Sequence, residues 1–385
     1  MNMGVLDLMW GLKLEIKKSI RTKKFWAILI IMLLLYIPIL YAIKTVQPYG
    51  REFTASEVIA ALISITLSLA KFFITILAIV LGATAVNAEI TEGTLRVAIS
   101  KPISRLGYIV GKFLGHIVVL FIAILLAVVV TLVGIAMMGI DITSGLIWDV
   151  LLLNLSILLA MMEFLALGYI VSLFVKSTST AIGIAIVLLF LMSLMSPILV
   201  EYFAHSKAEE LTREKFGPNW EREGFLYRNE SVKSPYEYMN IQYNRLVKEY
   251  KRKYLFFDPI TQLNFLLGNL TKKIHVTITN ETYYPMKKEG LTIVTDYEHP
   301  IKSNVTNTTG EGPCQGPDVE GGSRTENING TYVEVRYEKR CYTLETYQGV
   351  GYSIKKNLDR LGVMIAMLIL YLGVGFYRFL RMDLR

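Results

Sequence analysis

The stretch Ala88–Lys112, AEITEGTLRVAISKPISRLGYIVGK, is a short charged segment between two long apolar runs. Its acidic residues come first, followed by a Gly-Thr pair and then by basic residues around Pro102. Three- and four-residue spacing places Glu89, Glu92 and Arg96 on one face of a short helix. Pro102 is expected to end that helix, because proline lacks the backbone N–H. The pattern predicts a stiff cytoplasmic elbow (residues 88–112) that could dock on a soluble partner.

The apolar runs around the elbow are long enough to cross a membrane. The 385-residue chain is 53% hydrophobic and 19% charged, which is less charge than a soluble protein of this length usually carries. About 20 apolar residues are enough for a helix to cross ~30 Å of hydrocarbon. Six runs are predicted to be membrane spans: Phe25–Ile43, Val58–Ala83, His116–Met138, Val150–Phe174, Thr180–Val200 and Leu361–Phe379.

Basic residues outside the spans indicate the orientation of the chain. One side of the membrane would hold Lys13, Lys17, Lys18, Arg21, Lys23, Lys24, Arg96, Lys101, Arg105, Lys112, Lys176, Arg378, Arg381 and Arg385. The two short loops on the other side hold only Lys44 and Arg51. The positive-inside rule then predicts a multi-pass protein of the plasma membrane with both termini in the cytoplasm. The net charge of +8 is a topology signal, and no nucleic-acid partner is expected.

These patterns predict an α-helical polytopic membrane protein with six transmembrane helices and a mixed α+β extracytoplasmic domain between spans five and six. Residues 1–24 are predicted to form an amphipathic helix at the membrane surface, with a solvated basic tail as the alternative. Residues 25–200 hold the first five spans and the elbow. Residues 201–360 form the outer domain, and residues 361–385 hold the sixth span and a short tail.

The outer domain is predicted to begin with helices and to continue with strands. Helices are expected over Ser206–Phe216 and Pro235–Tyr254, with another short helix starting at Phe257-Asp258-Pro259. Alternating apolar and polar residues predict strands over Ile274–Thr279, Leu291–Thr295, Thr331–Tyr337 and Cys341–Thr346. The segment Thr306–Asn329, which is rich in Gly, Asn, Thr and Pro, is expected to be an exposed loop.

Two features agree with export of residues 201–360. The only two cysteines, Cys314 and Cys341, lie here and predict one disulfide, with two free buried thiols as the alternative. Six N-glycosylation sequons also lie here, at Asn229, Asn269, Asn280, Asn304, Asn307 and Asn329.

Two charged residues lie near the middle of predicted spans, Lys71 in span two and Glu163 in span four. A charge at that depth costs at least ~2.5–3.5 kcal/mol on insertion scales, so it usually faces a partner or a wet cavity. The two could form a buried ion pair, or either could line a polar transport pathway. Lys71 could also lie nearer the membrane surface and extend its amine to water.

Sequence motifs of catalysis are missing. The chain has no G-x-x-x-x-G-K-[ST] segment for nucleotide phosphates, and no G-x-S-x-G or H-E-x-x-H motif. Its four histidines share no metal-ligand spacing. We therefore expect no enzymatic activity, metal or cofactor in this chain.

The elbow resembles the signature segment of ABC-2 type transporter permeases, close to the NosY-like branch. The resemblance rests on Glu92-Gly93-Thr94-Leu95, Ser100-Lys101-Pro102-Ile103-Ser104-Arg105 and Gly111-Lys112. The segment Arg21-Thr22-Lys23-Lys24-Phe25-Trp26 before the first span and Phe376-Tyr377-Arg378-Phe379 at the end of the last are also similar to that family. Nothing in the outer domain adds to the resemblance.

The resemblance implies the membrane subunit of an ATP-driven transporter, expected to be an exporter. In that family two membrane chains pair, usually as a homodimer, and two cytoplasmic ATPase subunits bind ATP and Mg beneath them. The elbow would act as the coupling helix through Glu89, Glu92, Gly93, Thr94 and Arg96, although its acids could be only a solvated helix face.

Two other functions stay open. One is a membrane sensor or scaffold whose outer domain binds an extracellular ligand or protein. A weaker one is an enzyme that acts on lipid or glycan through the outer domain.

Overall fold

The computed structural model describes residues 75–95, 104–137, 142–220, 234–289, 292–311, 314, 319–328 and 331–382. It also describes residues 9, 12–13, 15–18, 21, 26 and 30, all of them helical. Most of the predicted first span, the start of the second, Lys71, Arg96, Asn229 and Asn329 lie outside the described residues. The chain forms two compact units, a helical unit and a β unit that contains Asn269–Gly349.

Ten helices are described in the helical unit. They are α1 Thr75–Ala85, α2 Asn87–Thr91, α3 Arg105–Met137, α4 Ser144–Phe174, α5 Thr178–Phe190, α6 Ser196–Phe216, α7 Pro235–Tyr254, α8 Pro259–Leu266, α9 Val350–Lys356 and α10 Leu358–Arg381.

Four of the described helices are long and apolar enough to cross a membrane: α3, α4, the continuous helix Thr178–Phe216 and α10. They contain the predicted third to sixth spans almost completely, and α1 covers the end of the predicted second span. The count of six spans stays a prediction.

Local sequence explains where several helices begin. The hydroxyl of Thr143 accepts a hydrogen bond from the backbone N–H of Leu146 at the start of α4. Ser234 and Asp258 do the same before α7 and α8, and a proline follows each of them. A side-chain oxygen at the N-cap satisfies a backbone donor that the helix leaves unpaired, and proline suits the first helical position.

Pro197 does not end its helix, so of the two expected effects on span five, termination and a kink, termination is wrong. The helix runs from Thr178 to Phe216 and opens into a π-helical turn, Leu191–Met195, just before the proline. The hydroxyl of Ser196 donates to the carbonyl of Leu191 at 2.8 Å. The wider turn accommodates Pro197, which has no backbone N–H to donate. The predicted helix Ser206–Phe216 is therefore the C-terminal part of one long helix.

Glycines bring α1 and α4 into close contact. A Cβ at Gly82 would lie 2.2 Å from the carbonyl oxygen of Leu165, and one at Gly168 would lie 2.3 Å from that of Ile79. Ala78 and Ala83 are fully buried in the same contact. Small residues at such a crossing let the two helix backbones pack directly, which is how membrane helices associate.

The β unit is an antiparallel sheet of β1 Thr271–Glu289, β2 Thr292–Thr295, β3 Lys302–Glu311, β4 Val319–Ile328 and β5 Thr331–Tyr347. The long β1 pairs with β5 along one edge and with β3 and then β2 along the other, while β4 pairs with the far edge of β5. The predicted disulfide between Cys314 and Cys341 is formed, with a Cα–Cα distance of 5.9 Å.

The expectation of a loop over Thr306–Asn329 is wrong for most of that segment. Thr306 to Glu311 belong to β3, which pairs with β1, and Val319–Ile328 forms β4, which pairs with β5. These strands are polar and largely exposed, so they lack the apolar alternation that reveals a strand in sequence. The long neighbouring strands supply the backbone partners that hold them.

Candidate functional site

The elbow begins as the short helix α2, which is fastened to the segment between α4 and α5. The hydroxyl of Ser172 accepts hydrogen bonds from the backbone N–H groups of Val86, at 3.1 Å, and Asn87, at 2.8 Å. The Asn87 amide donates to the carbonyl of Val175. The hydroxyls of Thr91 and Thr178 lie 3.2 Å apart. These contacts tie the start of the elbow to two of the long helices.

The turn after α2 is presented to solvent. Glu92 ends the helix, and Gly93 follows with a φ of +70°, a left-handed conformation that glycine adopts most readily. Glu92, Gly93 and Thr94 are all exposed, as expected for a docking surface. The described part of the elbow therefore presents an exposed tip that carries one acidic side chain, Glu92.

The prediction that Glu89 and Glu92 share one face for docking is wrong for Glu89, which is buried with only 3% of its surface exposed. Lys112 approaches its carboxylate at 2.7 Å and Lys18 at 3.2 Å. The hydroxyl of Tyr108 donates to the other carboxylate oxygen. Glu89 thus points into the protein and cannot meet a soluble partner in this conformation, whereas Glu92 can.

Glu89 belongs to a buried group of side chains, here called the Lys112 cluster. Lys112, on α3, lies 2.7 Å from both Glu89 and Glu15. His116, one turn further along α3, lies 2.9 Å from Glu15 through Nε2 and 2.7 Å from the hydroxyl of Tyr169 through Nδ1. The complete cluster is Glu15, Lys18, Glu89, Tyr108, Lys112, His116 and Tyr169.

The members of this cluster come from four separate parts of the chain. Glu15 belongs to the N-terminal segment, Glu89 to α2, Lys112 to α3 and Tyr169 to α4. At Gly115 a Cβ would lie 2.6 Å from the Cβ of Glu15, so the N-terminal segment is packed directly against α3. The cluster therefore joins the N-terminal segment, the elbow and two long helices at one point.

Electrostatics favour a charged state of the cluster. Burial alone raises the pKa of Glu15, but the hydrogen bond and charge of His116, together with those of Lys112, outweigh burial and hold this pKa below its usual range. A buried charge is tolerated where opposite charges and hydrogen bonds compensate for lost hydration. Lys112 compensates the negative charge of two carboxylates at once, those of Glu15 and Glu89.

Sequence reasoning missed this cluster, although a signal was present. Tyr108, Lys112 and His116 follow one another at four-residue spacing, which places them on one face of α3. The cytoplasmic charge bias and the family resemblance both account for Lys112 without a buried partner, and His116 shares no metal-ligand spacing with the other histidines. A polar stripe on an otherwise apolar helix indicates that buried polar partners exist. It does not identify which residues those partners are.

Glu163 is buried, as its position in span four predicts, with 1% of its surface exposed. Neither carboxylate oxygen has a hydrogen-bond partner among the described residues. Its predicted partner, Lys71, lies outside them, so the ion pair stays a prediction.

The remaining predicted site residues are separate from the cluster. Of the sequons, Asn269, Asn280, Asn304 and Asn307 lie in the β unit, the last three within strands. No group of three or more His, Cys, Asp or Glu side chains within the described ranges could hold a metal ion.

Comparison with known proteins assigns the sequence to a family. The model of the ABC-2 family transporter proteins matches residues 9–384. The probable ABC transporter permease protein NosY of Stutzerimonas stutzeri is 30% identical over 143 residues. That alignment covers 37% of this chain and 52% of the relative, so the chain spans about half the length of that relative. The match over residues 9–384 includes the N-terminal segment, the elbow, the long helices and the β unit, and this chain belongs to the ABC-2 family of transporter proteins.

Proposed function

We propose that this chain is the membrane permease subunit of an ATP-driven ABC transporter, working as an exporter. Family membership over residues 9–384 carries the proposal. The missing nucleotide-binding motif supports it further, because ATP hydrolysis would then be performed by separate cytoplasmic ATPase subunits. Two such subunits and a second permease chain would complete the transporter, with ATP and Mg bound only by the ATPases.

In this proposal the exposed tip of the elbow docks on the ATPase. Glu92 and Thr94 are accessible there, and Gly93 lets a partner backbone approach closely. Arg96 lies outside the described residues and stays part of the coupling surface as the sequence predicts it. Glu89 has a positioning role, because it holds α2 to α3 through Lys112. Movement of the ATPases would thus reach the N-terminal segment and the long helices through the Lys112 cluster.

The orientation of the chain supports the same assignment. The basic residues around the elbow and at the end of α10 favour the cytoplasm for this side of the membrane. The opposite ends of the long helices would then face the outside of the cell, and the predicted topology assigns the β unit to the same side. The disulfide between Cys314 and Cys341 favours an oxidising compartment for the β unit.

The first experiment is gentle purification of the chain from its native membranes, followed by mass spectrometry of the proteins that accompany it. A stoichiometric ATPase with a phosphate-binding loop is the expected result. A chain that purifies without an ATPase, from a detergent that preserves a reference ABC complex, would contradict the proposal. The separate β unit would then favour the sensor or scaffold alternative, in which that unit binds an extracellular ligand or protein.

The charge reversal Glu92→Arg tests the docking surface. Glu92 is exposed, so the variant should fold normally but lose coupling to the ATPase, and stimulation of ATP hydrolysis by the permease should fall at least tenfold. Loss of a charge-assisted contact of about 1.4 kcal/mol or more corresponds to that change. The matched control is Glu298→Arg, an exposed acidic residue of the β unit. Normal stimulation by Glu92→Arg would show that the tip is not the coupling surface.

A further inference from the structure

A cavity of about 910 Å³ opens between the elbow tip, the end of α4 and the end of α10. Its lining includes three basic side chains, Lys176, Arg378 and Arg381, and one acidic side chain, Glu92. None of the three basic groups has an ion-pair partner among the described residues. The cavity therefore carries an excess of positive charge that the described side chains leave unneutralised.

Aromatic rings hold both arginines in place. The guanidinium of Arg378 lies 5.1 Å from the ring centre of Phe174, and that of Arg381 lies 4.6 Å from the ring centre of Tyr377. Stacking on a ring fixes the plane of a guanidinium while leaving its N–H groups free to donate. Two such groups can bind phosphate oxygens in the bidentate manner for which arginine is suited. Helix C-termini do not attract anions, so these side chains must supply the binding.

An apolar stripe leads away from this cavity along α10. Leu370, Val374 and Tyr377 are exposed, and their four- and three-residue spacing places them along one face, next to the exposed Ile369. The stripe ends at Arg378 and Arg381, beside the exposed ring of Phe174. The arrangement places a basic cavity beside an apolar surface that is suited to acyl chains. A free phosphate would not use that apolar surface.

We propose that this cavity binds the headgroup of an anionic phospholipid, whose acyl chains lie along the exposed face of α10. Basic pockets at the membrane boundary between spanning helices are suited to such headgroups, and each basic residue near an anionic surface contributes to attraction. The inference requires only that α4 and α10 cross the membrane, so it can fail or hold independently of ATPase coupling.

The test is native mass spectrometry of the full chain in mild detergent, with phosphatidylglycerol or phosphatidylcholine added at equal concentration. We expect the chain to retain phosphatidylglycerol preferentially. The double variant Arg378→Gln/Arg381→Gln should weaken that retention roughly 10- to 30-fold. The single variant Lys176→Gln, in the exposed turn between α4 and α5, should weaken it several-fold without altering either spanning helix. Lys355→Gln is the matched control, because Lys355 is exposed on α9 and does not line the cavity.

Four results would overturn the inference. Equal retention of the two lipids, or unchanged retention by both site variants, would exclude a headgroup site here. Glycerol phosphate binding as tightly as the lipid would identify a site for free phosphate. Site variants that keep the lipid but no longer bind the ATPase would assign the cavity to a protein partner.

Discussion

At the scale of single residues, Lys112 is a buried cation with two close carboxylate partners. It is 2% exposed, and its ammonium group lies 2.7 Å from two carboxylates that are themselves buried. Removing one member of a buried ion pair is far more costly than its net contribution suggests, because the buried charges that remain lose their closest compensating group. Here one lysine serves two acids from different parts of the chain.

Replacing this lysine should therefore destabilise the protein strongly. We expect Lys112→Met to lower the free energy of unfolding by about 3–5 kcal/mol, measured by thermal or denaturant unfolding in detergent. The double variant Lys112→Met/Glu89→Gln should recover part of this loss, because one of the two buried carboxylates that lose the lysine is then neutral. Lys355→Met, at an exposed position, should stay near wild type. Equal stability of Lys112→Met and Lys355→Met would mean that the cluster does not hold the elbow.

At the scale of elements, the contact of α1 with α4 depends on glycine. α1 leads directly into α2 and the elbow, and α4 carries Ser172 and Tyr169, which contact the elbow and the Lys112 cluster. The Gly82 and Gly168 crossing therefore sets the distance at which the elbow meets its supports. In membranes such close packing replaces the hydrophobic effect as the source of helix association.

Adding a single methyl group to one of these glycines should reveal how strongly the α1–α4 contact depends on them. Gly168→Ala would place its Cβ 2.3 Å from the carbonyl of Ile79, so the helices must separate, and we expect a loss of about 1–3 kcal/mol in unfolding free energy. Gly183→Ala has no neighbouring atom within 4 Å and should stabilise α5 by about 0.5–1 kcal/mol. The two variants should thus differ in sign. A gain in stability at both positions would argue against the close crossing.

At the scale of the whole molecule, the proposed topology places the elbow and the β unit on opposite sides of the membrane. The protein suits a labelling test, because its two native cysteines form a disulfide and leave no free thiol. Both Thr94, in the elbow, and Glu298, in the β unit, are exposed. A cysteine at either position would therefore be accessible to reagent on its own side.

We expect Glu298→Cys to react with a membrane-impermeant maleimide in intact cells. Thr94→Cys should react only after permeabilisation, because the positive-inside rule assigns the elbow to the cytoplasm. Wild-type protein gives the background for both variants. Labelling of Thr94→Cys in intact cells, with Glu298→Cys protected, would reverse the orientation and remove the basis for ATPase docking at the elbow.

Much of the helical unit could be predicted from sequence, because the signals involved are local. Runs of apolar residues, the caps at Ser234 and Asp258, and the acidic tip around Glu92 each depend on a few neighbouring residues. Strand content was harder to predict. β3 and β4 are polar and depend on pairing with β1 and β5, so composition alone suggested a loop.

Sequence was enough to predict a membrane protein with long apolar spans and a charged elbow, and to assign it to the ABC-2 family. Hydropathy, charge bias and motif spacing are properties of the linear chain, so they need no folded partner. The burial of Glu89, the exposure of Glu92 and the contact of Glu15 with Lys112 emerge only in the folded chain. Those facts depend on which distant segments pack together, and side chains 97 positions apart in sequence carry no local sign of their contact.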